Sequence, residues 1–274
     1  MDQVRPPDRP WSKFTKYPKG AVGARRKYFF ADELEVIELN AMNELRSRAS
    51  ELAPWITQFS VLGVKYGGTY DALNDDRVSR VAHFFPRCAR ILEVGCLEGG
   101  HTVILSRAYP YTDIVALDGR KENIEKARFL TSLYGCNRVT FGVEDLEVAN
   151  LSGYGRFDLC VCLGLLYHLI EPWKFIQQLG AQCEAVWIWT TLCDEASAET
   201  MSGNYRGRIF QEGPLDHALS ALRGQSFFPT LGSLVQMLRD AGFCDFHVMN
   251  MEVTPNGPSV MLACTKLPFR LPGQ

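Results

Sequence analysis

The chain has 274 residues, 46% of them hydrophobic and 22% charged, with a net charge of −2. That composition is ordinary for a globular protein, and the length suits one α/β domain with an extension or two small domains. The near-neutral balance excludes a molecule-wide polyanion-binding surface, and the lack of eighteen uninterrupted apolar residues argues against a membrane span.

Residues 1–28 read as an irregular arm rich in Pro and aromatic residues. Eight basic residues (Arg5, Arg9, Lys13, Lys16, Lys19, Arg25, Arg26, Lys27) face Asp2 and Asp8 there, a local balance of +6. Such an arm can contact phosphate, be a solvated tail, or fold over an anionic small molecule. The arm's start, MDQVRPPDRPW, has no apolar signal-peptide core, so the chain reads as cytoplasmic. Nine cysteines with no Cys-x-x-Cys pair suit buried, reduced thiols, with a zinc or redox site as the alternative.

Residues 32–53 predict a helix, with Asp32 as cap, an apolar stripe through Leu34, Ile37, Leu45, Ala49 and Leu52, and Pro54 as its stop. The glycine-rich stretch 60–71 predicts a loop, and a further helix is expected near 74–84. From residue 90 short apolar runs alternate with helical segments. Strands are expected at Ile91–Gly95, Ile114–Asp118, Val139–Val143, Phe157–Leu163 and Ala185–Thr190, and helices at 99–109, 120–134 and 172–182. This alternation implies a parallel sheet wound on both sides. Cys160 and Cys162 alternate along one strand and should share a face. The tail differs: a helix at 231–241 capped by Thr230, then strands Phe246–Met251 and Ser259–Thr265. The turn Thr254-Pro255-Asn256-Gly257-Pro258 between them is too short for a crossover, so the pair is antiparallel.

Four segments carry chemistry. In Ile91-Leu92-Glu93-Val94-Gly95-Cys96-Leu97-Glu98-Gly99-Gly100 a strand ends in an acid and a glycine-containing turn opens a helix. The spacing is not the Gly-x-Gly-x-x-Gly of dinucleotide enzymes, and Glu98 would repel a phosphate. An acid at Glu93 suits a ligand carrying sulfonium and ammonium charge. In Ala116-Leu117-Asp118-Gly119-Arg120, Asp118 ends the second strand, where a carboxylate accepts from ribose hydroxyls or caps the next helix. Phe141-Gly142-Val143-Glu144-Asp145-Leu146 follows the third strand. Phe157-Asp158-Leu159-Cys160-Val161-Cys162-Leu163-Gly164-Leu165-Leu166-Tyr167-His168 closes the fourth.

Together these segments resemble the motifs of class I S-adenosylmethionine-dependent methyltransferases. Glu93-Val94-Gly95-Cys96-Leu97-Glu98-Gly99 is similar to the family's Asp/Glu-x-Gly-x-Gly-x-Gly, with Leu97 in place of the middle glycine. The resemblance implies a seven-stranded, mostly parallel, Rossmann-like sheet with a C-terminal antiparallel hairpin. It divides the chain into an N-terminal arm and helical substrate cover, 1–85, and a catalytic domain, 86–274. S-adenosylmethionine (SAM) is the implied cofactor. Glu93, Gly95 and Gly99 would cradle it, with Asp118, Gly119 and Arg120 at the ribose. Asp145, or Glu144 in its place, and Leu146 would meet the adenine. Leu163 and Gly164 would flank the sulfonium, and Tyr167 and His168 would face the acceptor.

His168 is the candidate base and also a candidate packing histidine. Tyr205 and Arg206, within a further covering segment at 194–228, are candidate substrate contacts. No Asn/Asp-Pro-Pro-Tyr/Phe follows strand four, which disfavours adenine or glutamine amide nitrogen as acceptor. No carboxylate triad of the catechol type calls for a divalent metal. The leading expectation is O-methylation of a small molecule. Leu163-Gly164-Leu165-Leu166-Tyr167-His168 and Ser226–Leu234 also resemble the tRNA wobble-uridine branch, which makes an RNA substrate the second expectation. A catalytically silent cofactor-binding protein is the third. The oligomeric state stays open.

Overall fold

The strand residues Arg90–Val94 (β3), Asp113–Asp118 (β4), Val139–Val143 (β5), Phe157–Leu163 (β6) and Cys183–Thr191 (β7) are near-continuous apolar runs, as strands covered on both faces must be. Alternation sends Leu92, Val94, Cys160 and Cys162 to one face and Ile91, Leu159 and Val161 to the other. Cys160 and Cys162 therefore share a face, as the pattern predicts, and both are buried as free thiols. Two further strands, Asp245–Thr254 (β11) and Gly257–Thr265 (β12), complete a seven-stranded sheet of order β11-β12-β7-β6-β3-β4-β5. The β3–β4, β4–β5, β3–β6 and β6–β7 pairs are parallel, and β12 pairs antiparallel with both β7 and β11.

These features come from a computed structural model that describes residues 41–61 and 63–268. The basic arm 1–28, the Asp32 cap and the first part of the expected helix at 32–53 lie outside the described residues. The chain divides into two units, residues 1–48 and 49–274. In the first, residues 41–48 are helical, and this helix (α1) continues to residue 51. The expected division after residue 85 runs through the second unit.

Helices Gly100–Ala108 (α4), Lys121–Leu133 (α5), Pro172–Gln182 (α6) and Leu231–Asp240 (α7) cover the sheet. Pro172 occupies the first turn of α6, where its missing N–H costs nothing. The α6 stripe Phe175, Ile176 and Leu179 and the α7 stripe Leu234, Met237 and Leu238 are buried in one core. A Cβ on Gly180 would meet the Ala241 carbonyl oxygen at 2.1 Å, so only glycine lets α6 lie this close to the end of α7. Thr230 caps α7 as expected, its hydroxyl accepting from the Ser233 N–H at 3.2 Å.

Two expectations are corrected, and the covering segment at 194–228 proves to hold strands that the spacing did not show. The 60–71 loop contains a short hairpin, Phe59–Val61 (β1) with Val64–Tyr66 (β2). The glycines signalled a turn correctly, and the Phe59–Tyr66 ring stack at 5.7 Å across it was not visible in the spacing. The helix near 74–84 is two four-residue helices, Asp76–Ser79 (α2) and Val81–Phe84 (α3), with Arg80 between them. The segment 194–228 is largely a second sheet: Thr200–Ser202 (β8), Tyr205–Gln211 (β9) and Gln225–Pro229 (β10), all antiparallel.

Candidate active site

The turn after β3 is built from left-handed backbone. Gly95, Leu97 and Gly99 have φ of 70°, 48° and 83°. Glycine takes this conformation freely, whereas a side chain costs about 1–2 kcal/mol. Leu97 bears that cost because its N–H donates to Asp118 Oδ2 at 2.9 Å. Asp118 Oδ1 accepts from the Arg120 N–H and Asn123 Nδ2, both at 2.9 Å. One carboxylate thus ties the first turn to the second strand. Burial pushes its pKa up against these three bonds.

Beyond this turn, at the carboxyl ends of β3, β4, β5 and β6, lies a cavity of about 450 Å³, within the about 300–1,000 Å³ typical of small-molecule sites. Gly95, Asp118, Gly119, Arg120, Asp145, Leu146, Leu163, Tyr167 and His168 all line it. The structure thus gathers nine of the sequence-predicted residues around one space. Asp145 Oδ1 accepts from the Glu147 N–H at 3.2 Å and Oδ2 pairs with Arg223. Glu144, the alternative acid, also lines the cavity and accepts from Tyr154 Oη at 2.5 Å.

Four predicted residues stand apart. Glu93 is 2% exposed and does not line the cavity. Its Oε2 accepts from Thr102 Oγ1 at 2.6 Å and its Oε1 has no partner. Burial raises its pKa to about 8, so near pH 7 it offers a neutral carboxyl rather than the charge expected there. Gly99 is also off the cavity wall: a Cβ there would lie 2.9 Å from Ala127 Cα, so this glycine lets α5 approach the turn. Tyr205 is buried in the second sheet and donates to Asp240 Oδ2 at 2.8 Å. Arg206 is exposed and points to Glu195 Oε2 at 3.5 Å. Alternation along β9 sends these neighbours to opposite faces, Tyr205 into the core and Arg206 to the surface, and neither lines the cavity.

His168 ends a 3-10 turn, Leu166–His168, after β6. Its Nδ1 lies 3.1 Å from Glu212 Oε1. Burial lowers its pKa, and Glu212 opposes that shift. Tyr167 packs on the His168 ring at 4.3 Å between centroids and against Trp189 at 6.0 Å. Burial raises its pKa to about 12, so its hydroxyl keeps its proton near neutrality.

Sequence reasoning missed a second polar group on the wall. Tyr70 Oη lies 2.9 Å from Asp75 Oδ2 and 2.8 Å from His101 Nε2. Arg77 donates to Asp75 through Nε at 3.0 Å and stacks 4.5 Å over the Trp189 ring. Burial pushes Asp75 up, but the His101 and Arg77 bonds and charges hold it well below the usual carboxylate range. The visible signal was the clustering of Tyr70, Asp75 and Arg77 just before the motif. Glu212 and the segment 218–223 were missed for want of any spacing relation to the motifs.

A family model described as a methyltransferase domain matches residues 91–185, the stretch from β3 into β7 that builds the cavity. Residues 91–185 carry a methyltransferase domain. The crystal structure of the N-terminal domain of EvdMO1 in the presence of SAH and D-fucose resembles it over 81% of this chain and 96% of that chain, at 29% identity and a TM-score of 0.74. Magnesium protoporphyrin IX methyltransferase (ChlM) from Synechocystis PCC 6803 with bound SAH shares the fold, at 15% identity and a TM-score of 0.51 over 71% of this chain and 82% of that one. A ubiquinone biosynthesis O-methyltransferase of Xanthomonas axonopodis pv. citri (strain 306) is 34% identical over 107 residues, 39% of this chain and 44% of that enzyme. The match thus spans less than half of that curated relative. Among the described residues, no helix is long and apolar enough to cross a membrane.

Proposed function

We propose that the chain transfers the methyl group of SAM to a hydroxyl oxygen of a small-molecule acceptor. The carrying observation is that one cavity is lined both by Asp118 and the left-handed turn and by the Glu212-paired His168. The residues fit the cofactor: Gly95 and Leu97 line the wall, and Asp118, also on it, is proposed to accept from the ribose hydroxyls. Asp145 and Leu146 are proposed to meet the adenine, with the Asp145–Arg223 pair giving way to it. SAM, when bound, supplies a methyl group already activated on a sulfonium.

The protein's part is alignment and proton removal. Alignment by itself is worth up to about 7–11 kcal/mol of barrier. Tyr167 and Trp189 offer ring faces to the acceptor beside Leu163 and Gly164. His168 would take the proton of the acceptor hydroxyl as that oxygen accepts the methyl group that bound SAM would supply. Because burial holds the imidazole toward its neutral form, it is ready to accept a proton near pH 7. Two likenesses support an oxygen acceptor of small size: one relative is named as a ubiquinone biosynthesis O-methyltransferase, and one neighbour was solved in the presence of D-fucose.

The test is transfer of labelled methyl from SAM to D-fucose and related sugars and to phenolic acceptors. His168→Ala is expected to keep SAH affinity and lose turnover by about 10²-fold or more. His168→Gln, which can orient a hydroxyl but not take its proton, should be equally slow. Wild-type turnover in either variant would remove His168 from the reaction, and chelators are expected to leave the rate unchanged.

A further inference from the structure

Glu212 follows the last residue of β9 and opens the loop to β10, outside the seven-stranded sheet. Its side chain is 4% exposed. Oε1 faces His168 Nδ1 at 3.1 Å, and Oε2 accepts from the Ala221 N–H at 3.3 Å. Its own N–H donates to the Gly224 carbonyl at 3.0 Å, closing the base of the loop between β9 and β10. The loop is fastened again: Arg120 Nη2 donates to the carbonyls of Leu215 and Ala221 at 3.1 and 3.2 Å. The Glu212 backbone is thus pinned at Gly224 and its Oε2 at Ala221, which leaves Oε1 facing His168.

A carboxylate only accepts hydrogen bonds. Facing Nδ1, it requires that nitrogen to carry the ring proton, which leaves Nε2 as the lone-pair nitrogen of the neutral imidazole. We propose that Glu212 is the positioning residue of this site: it holds His168 as the Nδ1–H tautomer and turns Nε2 to the acceptor. This inference rests on the reading of His168 as the base. Glu212 does not touch the reacting atoms and acts through the imidazole alone. The charged groups that bear on His168 are Glu212, which favours its protonated form, and Arg120, which opposes it, with the Tyr167 ring packed alongside.

The test is ¹⁵N–¹H correlation spectroscopy of the imidazoles in the full chain saturated with SAH. The chain has five histidines, and His168 is assigned by the loss of its signals in His168→Gln. The wild type is expected to show Nδ1 protonated and Nε2 unprotonated at pH 7.5. In Glu212→Ala the Nε2–H tautomer should take over. In Glu212→Gln, which keeps the shape, the titration midpoint of His168 should fall by about one pH unit for loss of the carboxylate. An Nε2–H tautomer in the wild type, or the same tautomer and midpoint in all three proteins, would overturn the proposal. The methyl-transfer assay separates the two readings. If the tautomer moves but His168→Ala still turns over, the pair stands and the base reading falls. If His168→Ala is inactive and the signals do not move, His168 works without Glu212 and the proposal fails.

Discussion

Glu93 shows how burial changes what a motif residue can do. An acid at the end of the first strand looks, in sequence, like a charge for a cationic ligand. In the fold its carboxyl is 2% exposed, and burial raises its pKa to about 8 from an ordinary value near 4.5. Between those two values the unfolded chain has released the proton and the folded chain still holds it. Stability must therefore fall as pH rises through that window. Urea unfolding at pH 5 and pH 8 is expected to show this loss in the wild type and a smaller one in Glu93→Gln. Parallel behaviour of the two proteins would mean that Glu93 is ionised in the fold. Leu97 carries a related lesson. Its place in a glycine position looks like a weakened motif, yet the bond from its N–H to Asp118 keeps the same left-handed turn.

Between elements, the turn after β3 is fastened by Glu98 as well as by Asp118. Glu98 is fully buried and accepts from the Ile56 N–H at 3.0 and 2.9 Å, from the Thr57 N–H at 2.6 Å and from Lys126 Nζ at 3.0 Å. It joins the chain before β1 to α5 through the cofactor turn. Glu98→Ala should cost about 3–5 kcal/mol, because it strands the Lys126 ammonium and two amides. Adding Lys126→Met should recover part of that loss in denaturant titration. Equal stability of Glu98→Ala and wild type would show that this tie is idle. The parallel strands, the C-terminal hairpin and the order of the four motifs were legible because each is local: an apolar run, a turn too short to cross over, an acid at a strand end. The second sheet was not legible. β8 has only three residues and β9 (YRGRIFQ) mixes polar and apolar side chains without a clean signal. With that sheet hidden, Tyr205 and Arg206 looked like substrate contacts and Glu212 looked like nothing.

At the scale of the whole chain, two sources supply the cavity wall. The sheet brings the motif residues, and residues 57–77 with the loop after β9 bring Thr57, Tyr70, Arg77 and Arg223. The expectation that the basic arm 1–28 serves the acceptor rather than the cofactor is open to a truncation test. A chain starting at residue 29 should therefore bind SAH as the wild type does and lose methyl transfer, and full activity in it would make the arm a tail. The central claim, that this cavity is a SAM site, is tested most directly by calorimetric titration of SAH into the full chain and into folded Asp118→Ala. The account predicts one SAH per wild-type chain and an affinity about 10–100-fold weaker in the variant, the worth of hydrogen bonds to a charged acceptor. No binding of SAH by the wild type, the same affinity in both proteins, or saturable binding of NADH in its place would contradict it.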